Sequence, residues 1–226
     1  MTRRRRLVRV PASSANLGPG FDVLAAALAL HLELEVSEAD EFSVDPGHEG
    51  VPADRRNLCV RAFEELHPAS GVRFRVRSEI PLARGLGSSA AAIVAGLFAA
   101  DHLYELGLSR EEIYERAARL EGHPDNVAAA VFGGFVACPA AEDGRLPTPV
   151  RLEPPQGVEG ILVIPGEEVP TEAARAALPK EVSLEDAAAN VAAASQLVLG
   201  IERSDLGLIR RGLADRLPQP HRGPLY

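Results

Sequence analysis

The chain has 226 residues, of which 46% are hydrophobic and 25% are charged, and its formal net charge is -8. This length allows one large domain or two small ones with real cores, and the acidic balance argues against a protein that binds nucleic acid through a basic face. No apolar run approaches the roughly 20 residues of a membrane span, and no signal-peptide core follows the arginines at positions 3–6, so we expect a cytoplasmic protein that binds no membrane.

The first predicted elements lie before position 80. Leu7–Val10 reads as a short strand that runs into PASSANLGPGFD at positions 11–22, a segment rich in turn residues. Apolar and polar residues alternate over His31–Val36 and again over positions 72–76, and this alternation predicts two half-buried strands. Between them, Leu58–Leu66 has the apolar spacing of a helix.

The middle of the chain is predicted to be mainly helical. Ala90–Leu106 is rich in alanine and apolar on most sides, which is typical of a buried helix. Ser109 and Glu112 have the spacing of a capping box, which predicts the start of the next helix. Two glycines then lead into a predicted strand over Phe135–Cys138.

The stretch Ala141–Gln156 is rich in proline, glycine and charged residues, and it is the best candidate for a domain boundary. We therefore expect an N-terminal domain over 1–150 and a second domain over 151–226. Strands and helices mix without a strict alternation along the chain, so an α+β fold is favoured over a doubly wound sheet.

Beyond this boundary, Ile161–Ile164 is predicted to be a strand. Thr171 and Ser183 are residue types that commonly cap helix N-termini, and they predict helices over 172–178 and 184–200. The sequence contains neither internal repeats nor low-complexity tracts.

A glycine-rich segment, PLARGLGSSAA, lies between a predicted strand and a predicted helix. Gly85 and Gly87 allow the main chain to approach a ligand closely, and Ser88 and Ser89 open a helix whose first N–H groups lack intrahelical partners. Those donors and the helix dipole favour a polyphosphate. A Walker loop, which ends in Gly-Lys-Ser/Thr, is excluded because Lys180 is the only lysine in the chain. The predicted ATP-binding residues are Pro81, Leu82, Ala83, Arg84, Gly85, Leu86, Gly87, Ser88, Ser89, Ala90 and Ala91.

This glycine-rich string resembles the second motif of the GHMP small-molecule kinases, which include galactokinase, homoserine kinase and mevalonate kinase. Two further segments, VPASSANLGPGFD at positions 10–22 and EGHPDNVAAAVFGG at positions 121–134, resemble segments typical of the homoserine kinases. The resemblance runs from about position 7 to the end of the chain. It implies the two-domain α+β GHMP kinase fold, with a nucleotide-binding N-terminal domain and a ferredoxin-like C-terminal domain that is incomplete here.

Several polar residues suit a small amino-acid alcohol as the substrate. Asn16, Asp22, His123, Asp125 and Asn126 offer acceptors for an ammonium and a hydroxyl, together with amide donors. The resemblance adds two arginines that clamp the substrate carboxylate, because a guanidinium pairs with it in a bidentate way. The predicted substrate-binding residues are Asn16, Asp22, His123, Asn126, Thr171, Arg175 and Arg222.

The resemblance also implies the reaction and its cofactors. The γ-phosphoryl group of ATP would pass to the side-chain hydroxyl of L-homoserine, giving O-phospho-L-homoserine on the route to threonine. Asn126 and Asp125 are the predicted catalytic residues, and the amide of Asn126 positions groups rather than acting as a base. Mg²⁺ would accompany ATP, with Ser89 and Glu121 as its protein ligands and Glu115 as the alternative carboxylate.

Three expectations stay open from the sequence. Homoserine kinases usually continue well past the position of Arg222 and carry a third glycine-rich motif there, so this sequence is expected to be a fragment or a truncated homologue. The alternatives are another GHMP kinase of the mevalonate type, or a non-catalytic homologue that binds nucleotide. The resemblance also implies a homodimer.

Overall fold

The computed structural model describes residues 3–142, 146–164 and 175–222. Strands and helices mix along these residues, so the predicted α+β class is confirmed. The strands are β1 (Arg5–Ala15), β2 (Leu24–Glu38), β3 (Ser43–Asp45), β4 (Val72–Ser78), β5 (Phe135–Ala137) and β6 (Val150–Leu152). The helices are α1 (Leu58–Glu64), α2 (Ser88–Tyr104), α3 (Arg110–Glu121), α4 (Asp125–Phe132), α5 (Leu184–Arg203), α6 (Leu206–Gly212) and α7 (Pro218–Arg222).

Strand β2 is the centre of a six-stranded mixed sheet. On one edge it pairs antiparallel with β1 along almost its whole length, with a register shift between Pro11 and Ala12. Its other edge is shared, because β5 pairs with the beginning of β2 and β4 pairs with its end. Strand β6 extends the sheet beyond β5, and β3 lies parallel to β4.

The main core lies between one face of this sheet and helices α1 to α4. Alternate residues of the strands point into it, among them Leu34 and Val36 of β2 and Phe74 of β4, all fully buried. Helix α2 is buried on nearly every side, since the sheet and three other helices surround it. The glycine-rich segment therefore leads directly into a helix that is enclosed on nearly every side.

A second and smaller cluster forms where α5 meets the sheet. Leu197 and Ile201 of α5 pack with Leu24 of β2, and partly buried residues of β5, β6 and α6 surround them. Other apolar residues of α5 point outward, including Leu184 and Val191. Helix α6 packs back on α5, where Gly212 approaches the backbone of Leu197 so closely that a side chain at 212 would collide with it.

Most of the predicted elements are confirmed. The alternating segments at positions 31–36 and 72–76 are strands, and the helices predicted from Leu58, Ala90 and Ser183 are present. Ser109 accepts a hydrogen bond from the N–H of Glu112, and the Glu112 carboxylate accepts one from the N–H of Ser109, so the capping box is complete.

The predicted turn at positions 11–22 is partly wrong, because residues 11–15 continue β1 and pair with β2. Strand β2 likewise begins at Leu24, before the alternating segment. Leu24–Ala26 shows no alternation because its residues are buried on both faces of the sheet. Helix α4 was not predicted, since its short apolar run follows a proline that reads as a turn.

The predicted strand over Ile161–Ile164 is wrong. These residues pair with no strand in the described part of the chain, and Ile161 and Val163 are 90% and 87% exposed. An apolar run indicates a strand only where a sheet edge is available to pair with it. Thr171, the predicted cap of the helix over 172–178, lies outside the described residues; Arg175 and Ala176 are helical.

No helix among the described residues combines the length and the apolar content that crossing a membrane requires.

Candidate active site

A cavity of about 820 Å³ opens between the sheet, the N-termini of α2 and α4, and the C-terminal helices. Every residue from Pro81 to Ser89 lines it, and so do Asn16, Glu121, His123, Asp125, Asn126, Arg175 and Arg222. One space therefore joins most of the residues that the sequence singled out. Asp22 and Glu115 are not among its lining residues, and Ala90 and Ala91 are buried in the main core.

The glycine loop is held against β1. Gly87 begins α2 with a φ of +66°, in the left-handed region that favours glycine. A Cβ at this position would lie 2.0 Å from Oγ of Ser13 and 3.0 Å from Oδ1 of Asn126, so no side chain fits. The N–H of Ser13 donates to the carbonyl of Leu86 at 3.1 Å. The first turn of α2 thus points its N–H groups into the cavity, where they favour a polyphosphate.

Ser13 is a site residue that the sequence did not reveal. Its side chain is fully buried, and its hydroxyl donates to Oδ1 of Asn126 at 2.8 Å. Because Oδ1 accepts this bond, the donor that Asn126 has left for a ligand is its Nδ2 group. Reading positions 11–15 as a strand would have given the one available signal, since it places this serine opposite β2 inside the core.

Asp125 is a buried carboxylate at the first turn of α4. Its Oδ1 accepts from the backbone N–H of Asn126 at 2.7 Å, and the positive end of the helix dipole favours its charge. Nδ1 of His123 lies 3.5 Å from the same oxygen. This contact with Asp125 raises the pKa of His123 above its usual value, although burial acts in the opposite direction.

Ser89 and Glu121 lie next to each other in the wall of the cavity. The Ser89 hydroxyl donates a hydrogen bond to the Glu121 carboxylate, which ends α3. Glu115 is on the same helix but does not reach the cavity, so the geometry favours Glu121 of the two candidates. Among the described residues no group of three or more His, Cys, Asp and Glu side chains could hold a metal. A hydroxyl beside a single carboxylate nevertheless fits Mg²⁺, which binds few protein oxygens when phosphates supply the rest.

The turn between β1 and β2 carries Asn16 and Asp22, both with positive φ angles. Oδ1 of Asn16 accepts from the N–H of Asp22 at 2.9 Å, which closes the turn. Asp22 forms a bidentate pair with Arg175, with N–O distances of 3.0 and 2.6 Å. The hydrogen bonds to Asp22 raise the pKa of Arg175 above its ordinary value. Asp22 does not line the cavity itself, but it binds the guanidinium of Arg175, which does.

Arg222 reaches the cavity from α7, and a buried asparagine anchors the segment before it. Nδ2 of Asn190 donates to Asp215, and Oδ1 of Asn190 accepts from the N–H of Arg216, both at 2.8 Å. Asp215 also accepts from the N–H groups of Leu217 and Gln219, which begins the last helix. No local pattern in the sequence predicts this anchor, because its partners lie 25 and 26 positions beyond Asn190 in the chain.

The far end of the cavity is formed by a loop to which the sequence assigned no role. This loop ends at Asn57, which caps α1 by accepting from the N–H of Cys59 and donates to the carbonyl of Pro52. Its lining residues are Pro46, His48, Gly50, Val51, Pro52 and Arg56. Thr171, the remaining predicted substrate residue, lies outside the described residues.

Comparison with known proteins shows what this chain is similar to. The model of the GHMP kinases N terminal domain matches residues 57–134. A homoserine kinase of Thermus thermophilus is 47% identical over 221 residues, which cover 96% of this chain and 74% of that protein. A homoserine kinase of Moorella thermoacetica is 40% identical, with 97% and 76% covered. The crystal structure of homoserine kinase from Cytophaga hutchinsonii superposes with a TM-score of 0.82 at 30% identity, covering 98% of this chain and 75% of that one.

Proposed function

Because this chain belongs to the homoserine kinase family of the GHMP kinases, we propose that it phosphorylates the side-chain hydroxyl of L-homoserine with ATP. The product is O-phospho-L-homoserine, an intermediate on the route to threonine. The alternative of a mevalonate-type kinase is not favoured, since the relatives at 40–47% identity are homoserine kinases. A cytoplasmic location and a homodimer remain proposals that rest on the family.

The observation that carries this proposal is that one cavity combines two complementary chemistries. The N-terminus of α2 offers N–H donors to a polyphosphate. Arg175 lines the same cavity, and its partner Asp22, whose side chain is about one-third exposed, adds a charge of the opposite sign. A zwitterion such as homoserine can exchange partners with this pair, its carboxylate binding Arg175 and its ammonium binding Asp22. Mevalonate has no ammonium and would leave Asp22 without a counter-charge.

The phosphates of ATP would bind at the glycine loop between Gly85 and Ser89. Ser89 and Glu121 would hold Mg²⁺, which would supply positive charge to neutralise the phosphate oxygens. The substrate carboxylate would bind Arg175 and Arg222, which directs the hydroxyl end toward α4. Because both reactants are then held in one cavity, positioning lowers the barrier without a strong base.

Asn126 would orient the reacting groups. Its Oδ1 is held by Ser13, so its Nδ2 can donate to the substrate hydroxyl or to the phosphoryl group. Asp125 stabilises this end of α4, because its carboxylate accepts from the N–H of Asn126 and contacts the ring of His123. Phosphoryl transfer through a loose transition state needs little activation of the nucleophile, so the hydroxyl proton can pass late to the phosphate.

The test is homoserine-dependent ADP release, with the product identified by phosphorus NMR. We expect turnover with L-homoserine and none with mevalonate. Glu121→Gln should lower kcat on the order of 100-fold and raise the Mg²⁺ requirement. Glu115→Gln is the matched control on the same helix and should behave like the unmodified chain. ATP binding without homoserine-dependent ADP release would instead identify a non-catalytic nucleotide-binding homologue.

Asn126→Asp tests the positioning role. An equal or higher rate would argue against it, because a carboxylate at this position can act as a base and an amide cannot.

A further inference from the structure

The two arginines of the candidate carboxylate site share a partner that the proposed reaction does not use. Cζ of Arg175 lies 5.2 Å from the centroid of the Phe21 ring, and Cζ of Arg222 lies 4.9 Å from the same centroid. Both distances are within the roughly 6 Å at which a cation is attracted to an aromatic face. Three segments that are far apart in the sequence meet at this half-buried ring.

We propose that Phe21 is a positioning residue for the substrate carboxylate, because its ring holds the guanidinium groups of Arg175 and Arg222 on one side of the cavity. This inference rests on the proposed function for the identity of the substrate. It concerns a residue that does not line the cavity.

The physical reason lies in what two neighbouring cations need. Two guanidinium groups repel each other, and each long arginine side chain loses rotamer freedom when it is fixed, so they favour separate positions in solvent. Each of them is attracted by the negative potential of the ring, and this attraction offsets the repulsion. Phe21 thus stabilises an arrangement in which two arginines can bind one carboxylate.

The ring differs from a carboxylate partner in one respect that matters for binding. A carboxylate accepts hydrogen bonds from the guanidinium N–H groups, as Asp22 does with both terminal nitrogens of Arg175. A ring attracts the cation through its face and takes none of these donors. When the substrate displaces Asp22 from Arg175, the contact with Phe21 persists and keeps the guanidinium in place.

The position of Phe21 in the chain reinforces this role. It directly precedes Asp22 in the turn that Asn16 closes, so one short turn supplies both the ring and the carboxylate that hold Arg175. A change at Phe21 should therefore alter recognition of the carboxylate while the glycine loop, which belongs to the other wall, is unaffected.

The experiment compares Phe21→Leu, which keeps an apolar side chain, with Phe21→Tyr, which keeps the aromatic face. Loss of two cation–π contacts should raise the KM for L-homoserine by about 5- to 30-fold in Phe21→Leu. We expect kcat and the KM for ATP to change by less than about twofold, and Phe21→Tyr to stay within about twofold of the unmodified chain on every parameter. If Phe21 only fills space, Phe21→Leu will preserve the homoserine KM, and the inference is overturned.

A substrate analogue tests the specificity of the effect. 3-Aminopropan-1-ol is homoserine without its carboxylate, so its use by the enzyme should be weak and equally weak in Phe21→Leu. If Phe21→Leu impairs the analogue as much as homoserine, Phe21 acts on the site as a whole and not on the carboxylate.

A measurement without turnover separates this inference from the proposed function. The ring current of Phe21 should shift the side-chain Nε–Hε NMR signals of Arg175 and Arg222, and Phe21→Leu should remove the shift. Signals that are unchanged by Phe21→Leu would overturn the positioning role even in an active enzyme. If the chain releases no ADP with homoserine, the proposed function fails, while loss of the shift would still support the arrangement of the arginines.

Discussion

The two walls of the cavity rest on cores of very different size. The wall that carries the glycine loop belongs to the main cluster, which extends from Val8 to Cys138 and encloses α2. In the wall that carries Arg175 and Arg222, Arg175 lies on the segment before α5 and Arg222 lies on α7. The buried apolar residues of these C-terminal helices, in the described part of the chain, form a small cluster around Leu197 and Ile201. The apolar side chains of the first wall are mostly buried, whereas many apolar side chains of the second wall are exposed.

Under the proposed function, nucleotide binding and substrate recognition therefore depend on regions that are packed to different degrees. Regions with few buried apolar contacts open at a lower free energy than the core. We therefore expect the glycine loop to keep its geometry under conditions that loosen α5 to α7. Arg175 and Arg222 should lose their geometry first, and the affinity for homoserine should fall as a result.

The largest expected effect comes from the same substitution in the two cores. Leu97→Ala removes a fully buried side chain of α2, and Leu197→Ala removes a nearly fully buried one of α5. Leu→Ala changes in cores cost about 2–5 kcal/mol, and the cost rises with the cavity that remains. We expect the upper part of this range for Leu97→Ala and the lower part for Leu197→Ala, measured by urea unfolding.

The two leucine variants should also differ in function. Leu197→Ala should raise the KM for homoserine more than that for ATP, because α5 supports the arginine wall. Equal losses of unfolding free energy, or a larger loss in Leu197→Ala, would show that the two cores do not differ as their sizes suggest.

The second prediction concerns only the wall that carries the glycine loop. Gly85 and Gly87 have φ angles of +68° and +66°, so alanine is strained to a similar extent at both. A Cβ at 85 meets no atom within 4 Å, whereas a Cβ at 87 meets Ser13 and Asn126. Gly85→Ala should weaken ATP binding by about 1–2 kcal/mol, the cost of the left-handed conformation.

Gly87→Ala adds a collision with fully packed neighbours and should lower kcat/KM by at least about 100-fold, or about 2.7 kcal/mol. Calorimetric titration with ATP and steady-state kinetics measure the two effects. Similar losses in the two variants would mean that the strain at the loop, and not its contact with β1, decides its geometry.

The sequence predicted the local features of both walls and missed the features that depend on distant pairing. The glycine loop, the alternating strands and the capping box at Ser109 are each fixed by residues a few positions apart, so their signals are complete within one segment. The beginning of β2 has no such signal, since Leu24–Ala26 is buried on both faces and does not alternate.

The site shows the same limit. Asn16, His123 and Asn126 were predicted because they lie in compact polar motifs, and all three line the cavity. Ser13 and Phe21 were not predicted because each contacts a residue more than a hundred positions away. The segment Ile161–Ile164 failed in the opposite sense, because its apolar pattern has no sheet edge to meet among the described residues.

The last prediction tests how the wall that carries Arg175 and Arg222 is held. Asn190→Ala removes both hydrogen bonds to the segment that begins α7 and leaves Asp215 without one of its donors in a partly buried position. Such a loss costs about 1–3 kcal/mol. Because Arg222 ends the same helix, the KM for homoserine should rise while the KM for ATP stays constant. Gln196→Ala is the matched control on α5, since its partner Arg211 is exposed, and should change neither. If Asn190→Ala raises both KM values equally, the anchor supports the whole fold and the two walls are not independent.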